Sequence, residues 1–164
     1  MLFGTKTVNL HNDYMTPKSA WEAIVEYIPK DKIIWECFYG NGESKKFFEE
    51  LGFNVIHKKI DFFENNLGDI IISNPPYSMK KKIFERLKKL GKPFIMICPV
   101  AVIITKYLRT IFDEGDIQIM IPKKRIQFKK MVDGKEIKSK TVCNFDCYYY
   151  CWKMNLKKDI IWLK

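Results

Sequence analysis

The stretch Asp69-Ile70-Ile71-Ile72-Ser73-Asn74-Pro75-Pro76-Tyr77 decides how this chain is expected to fold. Its first five residues are an apolar run, which is typical of a strand buried on both faces. Residues 74–77 follow as a loop in which two prolines remove backbone donors and stiffen the chain. An asparagine oxygen and a proline carbonyl beside a flat ring suit a planar amino group, such as the exocyclic amine of a nucleobase. Asn74, Pro75, Pro76 and Tyr77 are therefore candidate amine-binding residues; a simple proline-rich turn is the alternative interpretation.

Strands and helices alternate on both sides of this stretch. Apolar strands are predicted at residues 32–36, 53–57, 93–100 and Ile117–Ile121, and helices at residues 21–27, 44–51, Lys80–Leu90 and 105–112. The alternation predicts an α/β fold with a mostly parallel sheet. Residues 125–152 predict two strands joined around Asp133-Gly134, which gives a C-terminal antiparallel hairpin. No linker divides the chain, so residues 1–164 are expected to form a single domain.

The chain carries an excess of positive charge. Lysine and arginine total 29 against 19 acidic residues, so the net charge is +10 and the pI is near 9.3. Such a charge favours partners that carry phosphates, although a lysine-rich surface without a partner is the alternative. Only three of the basic residues are arginines, so phosphate contact is expected more than bidentate reading of guanine.

Several basic clusters follow predicted strands and are expected on the ligand-binding side of the sheet. The candidate nucleic-acid-binding residues are Lys80, Lys81, Lys123, Lys124, Arg125 and Lys129. Phe128 lies among them and is predicted to stack on a base. Each cluster taken alone is more typical of a solvated face, and the placement after strands makes the two interpretations about equal.

Composition argues against a membrane protein and a metal site. No apolar run approaches the roughly 18 residues needed to span a bilayer, and the N-terminus lacks the features of a signal peptide. The five cysteines have no CxxC spacing, so buried thiols are expected and no metal ligands are predicted.

A second candidate segment is Glu36-Cys37-Phe38-Tyr39-Gly40-Asn41-Gly42, which joins a predicted strand to a helix. Its glycines and the helix N-terminus suit close approach of a ligand, and open α/β sheets bind ligands at this edge. The missing third glycine and the absent GK[ST] argue against a dinucleotide fingerprint and a P-loop. Asp61-Phe62-Phe63 follows the next strand, where an acid with two aromatics suits an adenine; a turn acid with two core phenylalanines is the alternative.

Together these segments resemble those of the S-adenosylmethionine-dependent amino-methyltransferases. Asn74-Pro75-Pro76-Tyr77 resembles the catalytic motif, especially that of the adenine-N6 class. Tyr14-Met15-Thr16-Pro17 resembles the N-terminal segment that touches the cofactor, residues 36–42 the glycine-rich cofactor loop, and residues 61–63 the segment near the cofactor adenine. The tail, residues 123–128 and then 145–152, resembles the closing hairpin of small phage and viral adenine methyltransferases.

The resemblance implies a Rossmann-like class I methyltransferase fold with S-adenosyl-L-methionine as cofactor. Asn74 and Pro75 would accept the two amine hydrogens and Tyr77 would stack on the base, with no metal or covalent nucleophile. The expected acceptor is nucleic acid, DNA more than RNA, in the cytoplasm of the cell or of the host of a phage or virus. By resemblance the cofactor-binding residues are Tyr14, Thr16, Pro17, Glu36, Phe38, Gly40, Gly42, Asp61 and Phe62.

One position departs from the family pattern. The acid that usually ends the second strand and holds the cofactor ribose should fall near Lys58 or Lys59, and lysine cannot accept those hydrogen bonds. Either another acid substitutes or cofactor binding is weakened. Three alternatives stay open: an RNA adenine-N6 methyltransferase, a methyltransferase of protein glutamine amides, which the net charge of +10 disfavours, and a non-catalytic nucleic-acid-binding protein of the same fold.

Overall fold

The computed structural model describes residues 13–132, 135–137 and 145–164. In chain order the elements are β1 (Asp13–Met15), α1 (Lys18–Glu22), β2 (Ile34–Trp35), α2 (Glu43–Glu50), β3 (Val55–Ile56), β4 (Ile70–Ser73), α3 (Lys80–Leu90), β5 (Phe94–Pro99), α4 (Lys106–Ile111), β6 (Ile117–Ile121), β7 (Lys129–Val132), β8 (Lys135–Ile137), β9 (Cys147–Trp152) and β10 (Ile160–Trp162). Short 3-10 helices lie at Val25–Tyr27, Tyr77–Met79 and Val100–Ile104.

Seven strands form the main sheet, in the order β10-β6-β9-β5-β4-β2-β3. Neighbouring strands are parallel except where β9 pairs with β5 and β6. The predicted α/β fold with a mostly parallel sheet is confirmed, and the arrangement is compatible with a Rossmann-like fold.

The apolar run before the proline-containing loop is β4, near the middle of this sheet. Successive residues of a strand face opposite sides. Ile70 and Ile72 accordingly join a core cluster with Trp21 of α1 and Phe48 of α2, while Ile71 joins a second cluster on the other face. That second cluster contains the apolar stripe of α3 and residues of α4. The sheet is therefore covered by helices on both faces, which buries β4 completely.

The predicted C-terminal hairpin is correct only in its first half. β7 and β8 pair antiparallel from Lys130↔Ile137 to Val132↔Lys135, and the connecting residues 133–134 lie outside the described residues. This hairpin does not close the main sheet, because β7 pairs instead with β1 in a separate three-stranded sheet. The prediction that β9 pairs with it is wrong: β9 is almost wholly buried and lies inside the main sheet, where both of its edges find a partner.

The helices differ from the predictions mainly at the N-terminus. The helix predicted at residues 21–27 is divided, since α1 ends at Glu22 and a 3-10 turn follows at Val25–Tyr27. α3 has the predicted bounds and ends at Gly91, whose positive φ of 69° and N–H bond to the Leu87 carbonyl form a C-terminal cap. Among the described residues, no helix is long and apolar enough to cross a bilayer.

The cysteines lie in the core, as expected. Cys37, Cys98, Cys147 and Cys151 are buried free thiols, and Cys143 lies outside the described residues. Cys147 and Cys151 belong to the same core cluster, because residues four apart in β9 share a face.

Candidate active site

The predicted segments converge where the parallel strands end. Glu36 follows β2, His57 follows β3 and Asn74 follows β4, and these three strands are adjacent and parallel. Their carboxyl ends therefore lie at one edge of the sheet. We call residues 74–77 the proline loop and residues 36–42 the glycine loop.

The proline loop is held by its own side chains. The Tyr77 hydroxyl donates a hydrogen bond of 2.7 Å to Asn74 Oδ1 and lies 3.5 Å from Cys147 Sγ. Pro75 is buried, whereas Asn74 and Tyr77 are half-buried. A 3-10 turn at Tyr77–Met79 then leads into α3. The asparagine oxygen is thus fixed in direction and keeps one further lone pair for an incoming donor.

Phe145 joins the proline loop to the N-terminal segment. Its ring lies 5.3 Å from the Tyr77 ring and 5.8 Å from the Tyr14 ring, both edge to face. The ring centroid of Phe128 lies 6.2 Å from that of Phe145, and Phe128 is only 2% exposed. The prediction that Phe128 stacks on a base is therefore wrong: its aromatic ring is more stable in the core than in water, although its sequence neighbours are polar.

The glycine loop packs against the segment that contains Tyr14, Thr16 and Pro17. A Cβ atom on Gly40 would come within 3.0 Å of Met15 Sδ, so β1 and the loop are in close contact. Gly40 and Gly42 both have positive φ, 55° and 83°, which favours glycine at each. Thr16 is buried, while Tyr14 and Pro17 are half-buried.

Glu36 is the buried acid of the glycine loop. Its Oε1 accepts hydrogen bonds from Ser73 Oγ of β4 and, at 3.2 Å, from the Phe38 backbone N–H. Burial raises the pKa of Glu36, and this effect is opposed by His57 and by the bonds from Ser73, Phe38 and Ser44. The carboxyl group therefore connects β2 to β4 at the point where both strands end.

His57 is the residue of this edge that sequence reasoning missed. Its ring stacks on Tyr39, with centroids 4.9 Å apart, and its Nδ1 lies 2.9 Å from the Glu36 carbonyl oxygen. The other nitrogen, Nε2, is buried and has no hydrogen-bond partner in the described part of the chain. The available signal was the position of His57 at the end of the predicted strand 53–57. A polar side chain in a buried position needs a hydrogen-bond partner or a functional role. Lys58 and Lys59 follow it and are exposed.

The segment at Asp61 forms an aromatic wall next to the glycine loop. Phe62 is 2% exposed, with its ring 5.1 Å from that of Phe38 and 5.7 Å from that of Trp35. Asp61 Oδ1 accepts the Phe63 N–H at 2.8 Å, which makes it a turn acid. Phe38 and Asp61 are half-buried.

The predicted basic residues are not equivalent. Lys80 is half-buried with its amine 5.9 Å from the centroid of the Tyr77 ring, whereas Lys81, Lys123 and Lys124 are exposed. Lys129 is half-buried in β7, opposite Met15. Arg125 forms a two-bond pair with Asp146, at 2.7 and 3.1 Å, so part of its guanidinium is occupied by an internal partner.

A shallow groove lies at the opposite edge of the sheet, before β6 and after β9. Its volume is about 550 Å³, and none of the predicted site residues belongs to it. The lining residues are Gly115, Asp116, Gln118, Trp152, Lys153, Asn155 and Leu156.

In comparison with known proteins, no family model matches the chain and no curated protein matches it significantly.

Proposed function

We propose that this protein is an S-adenosylmethionine-dependent methyltransferase that acts on the N6 amino group of adenine in nucleic acid, with DNA preferred to RNA. One observation carries the proposal. The proline loop, with its oriented Asn74 oxygen, ends the buried strand next to the one that leads into the glycine loop. A group that grips an amine and a loop that suits a nucleoside ligand thus share one sheet edge.

The residues of the proline loop have distinct roles in this proposal. Asn74 Oδ1 and the Pro75 carbonyl accept the two hydrogens of the adenine amine, which favours a pyramidal nitrogen with its lone pair free to attack. The Tyr77 ring stacks on the base and its hydroxyl holds Asn74 in place. These groups act by positioning and by electrostatics, which are effective in a partly dehydrated site.

The residues near the glycine loop fit the cofactor that the proposal requires. Gly40 is exposed and has no side chain, and the aromatic wall of Phe38 and Phe62 lies beside it. The buried Nε2 of His57 lacks a partner, and a hydroxyl-bearing ligand would supply one. When bound, S-adenosylmethionine supplies an electrophilic methyl group on a sulfonium. Glu36, Phe38, Gly40 and Gly42, with Tyr14, Thr16, Pro17, Asp61 and Phe62, are the residues proposed to hold it.

A second candidate function is non-catalytic nucleic-acid binding by a protein of methyltransferase-like fold. The observation that favours it is the end of β3, where residues 57–59 are His57 and two exposed lysines with no acid to bind a ribose. In that case the basic residues would bind phosphates while the cofactor region stayed inactive.

Transfer of a labelled methyl group from S-adenosylmethionine separates these functions. Duplex DNA, single-stranded DNA, RNA and a glutamine-containing protein serve as acceptors, and Asn74→Ala is compared with the exposed control Asn66→Ala. We expect transfer to DNA by the wild type and the control but not by Asn74→Ala. No transfer to any acceptor by a folded wild type would reject the enzyme. Calorimetric titration with S-adenosylhomocysteine then tells whether the cofactor region binds at all.

A further inference from the structure

The segment after β5 exposes apolar side chains at the same sheet edge as the proline loop. Ile104 is 77% exposed and Ile103 is 37% exposed, both at the end of the 3-10 helix Val100–Ile104. Isoleucine in water is unfavourable, and Ile104, with Trp162 at 74%, is the most exposed of the large apolar side chains in the described part of the chain. A partner that covers Ile104 would remove this cost.

The backbone that carries Ile104 is firmly held. The Val100 N–H donates to the Asp146 carbonyl at 3.0 Å, and the Tyr150 hydroxyl donates to the Pro99 carbonyl at 2.7 Å. Val102 is 1% exposed, and its carbonyl accepts both the N–H and the hydroxyl of Thr105. Ile104 therefore projects from a rigid support, as a wedge must if it is to separate other groups.

Contacts connect this support to the proline loop. Asp146 is adjacent in sequence to Phe145, whose ring packs on Tyr77. Val102 belongs to the core cluster against which Tyr77 and Met79 pack. The five-residue 3-10 helix spans only about 10 Å, so Ile104 lies within the footprint of a macromolecule bound at the proline loop.

The surroundings of Ile104 are basic. Lys106 and Arg109 follow it on α4 and are exposed, and Lys80 and Lys81 lie at the start of α3, the helix that packs against α4. Lys80 acts electrostatically on Cys98, close to the end of β5, which ties it to this side. The nearby Asp146 is neutralised by Arg125. An exposed isoleucine among cations suits a partner that has phosphates on its surface and flat apolar groups in its interior.

We propose that Ile104 is a wedge that enters a DNA duplex next to the target base. Inserted aliphatic side chains unstack a base step, and the surrounding cations compensate by binding the backbone. The wedge would hold open the stack from which an adenine has to leave to reach the proline loop. This inference rests on the proposed function for its choice of duplex DNA, whose grooves admit side chains more readily than the deep, narrow major groove of RNA.

The test measures binding and base opening without methyl transfer. The probe is a pool of short DNA duplexes in which random base pairs flank one 2-aminopurine·thymine pair, because 2-aminopurine brightens when it unstacks. Ile104→Ala is compared with Ile160→Ala, a matched loss from the 52% exposed isoleucine of the edge strand β10. Single-stranded DNA, duplex RNA and vesicles of anionic phospholipid are bound in parallel, and sedimentation reports self-association.

We expect wild type and Ile160→Ala to bind the duplex and raise its fluorescence. Ile104→Ala should bind about tenfold more weakly, the loss expected when burial of one isoleucine is removed, and should not raise the fluorescence. Affinity for single-stranded DNA should change less than twofold for both variants.

Several results would overturn the wedge. These are no duplex binding or no fluorescence rise by the wild type, equal losses in the two variants, or an effect of Ile104→Ala only on RNA, vesicles or self-association. Failure of the enzyme is distinguishable: absent methyl transfer with a full Ile104 effect rejects the proposed function alone. Methyl transfer with an unchanged Ile104→Ala rejects the wedge alone.

Discussion

The proline loop and the glycine loop end neighbouring strands, yet they satisfy their polar groups in opposite ways. In the proline loop Asn74 Oδ1 already has an internal donor, the Tyr77 hydroxyl. Beside the glycine loop a buried carboxyl is shared between strands, and the Nε2 atom of His57 is buried without a partner among the described residues.

This difference predicts which of the two loops a bound ligand would stabilise more. The proline loop is complete without a ligand, so its conformation need not change on binding. An unpaired buried nitrogen costs free energy, and a ligand that pairs with it recovers that cost. Ligand-induced stabilisation should therefore depend more on the glycine-loop side, whereas the rate of reaction should depend more on the proline loop.

The largest expected effect comes from breaking the proline loop. Asn74→Ala should lower methyl transfer about 100-fold or more, because an oriented acceptor for the reacting amine is lost. Loss of the Tyr77 hydrogen bond should cost about 1 kcal/mol of folding stability. Steady-state kinetics and urea unfolding measure the two effects. Unchanged transfer in this variant, with Asn66→Ala also unchanged, would contradict the assigned role.

Glu36→Gln tests the glycine-loop side and should weaken binding of S-adenosylhomocysteine about tenfold, since hydrogen bonds to a charged group are the stronger ones. Titration calorimetry measures this affinity. The matched control is Glu43→Gln at the exposed start of α2, which should leave the affinity unchanged.

The same variant has a defined effect on the pH dependence of stability. Burial raises the pKa of Glu36 above its ordinary value of 4.5. The native protein then binds more protons than the unfolded chain between those two pKa values. The stability contributed by this group is thus complete below pH 4.5 and is lost as the pH rises through the folded-state pKa. Glu36→Gln should raise the free energy of unfolding at neutral pH, and the gain over wild type should shrink towards pH 4.5. A gain that is larger in acid than at neutral pH would contradict this sign.

An acid at the end of β3 should improve cofactor binding on the glycine-loop side. We expect Lys58→Asp or Lys59→Asp to tighten S-adenosylhomocysteine binding up to about tenfold, because a carboxylate accepts the ribose hydrogen bonds that lysine cannot. Thermal stabilisation by the ligand measures this change. Lys157→Asp, which makes the same charge change at an exposed site beyond β9, is the control. If both lysine variants bind no better than this control, His57 or another group already serves the ribose.

The smallest expected effect concerns the cations beside the proline loop. Replacement of Lys80 and Lys81 by alanine should weaken DNA binding several-fold and reduce the slope of log affinity against log salt by about 1.8, or 0.9 for each phosphate contact. Fluorescence anisotropy at several salt concentrations measures the slope. The double variant of Lys157 and Lys158 removes the same charge on the far side of the sheet. An equal loss of slope in both would mean that DNA binding depends on net charge alone.

Local patterns were sufficient for most of the fold. The apolar runs and helical periodicity gave β4, β5, β6 and α3, because each has a strong local signal and lies between clear breakers. β2 and β3 are only two residues long where the sequence suggested five. β10 gave no usable signal, because two of its three residues are exposed at the sheet edge.

Long-range contacts were not predictable from local pattern. The run at residues 147–152 is equally compatible with a hairpin strand and with a central strand, and only the fold decides between them. Phe128 is buried in a core cluster built from distant parts of the chain, and one of its ring neighbours is Phe145. The proline and glycine loops were located correctly at one edge, since strand polarity fixes this. The Glu36–Ser73 bond and the stacking of Tyr39 on His57 depend on side-chain packing that no local pattern encodes.

The central position of β9 has a consequence for biosynthesis. The Tyr149 hydroxyl binds the Ala20 carbonyl, and β9 fills the space between β5 and β6. A ribosome therefore has to translate as far as residue 152 before the sheet can close and Phe145 can pack against Tyr14 and Tyr77. The proline loop is translated about 70 residues before β9 and cannot make these contacts until β9 follows. The nascent chain therefore contains residues 74–77 well before Phe145 is available to pack against Tyr77.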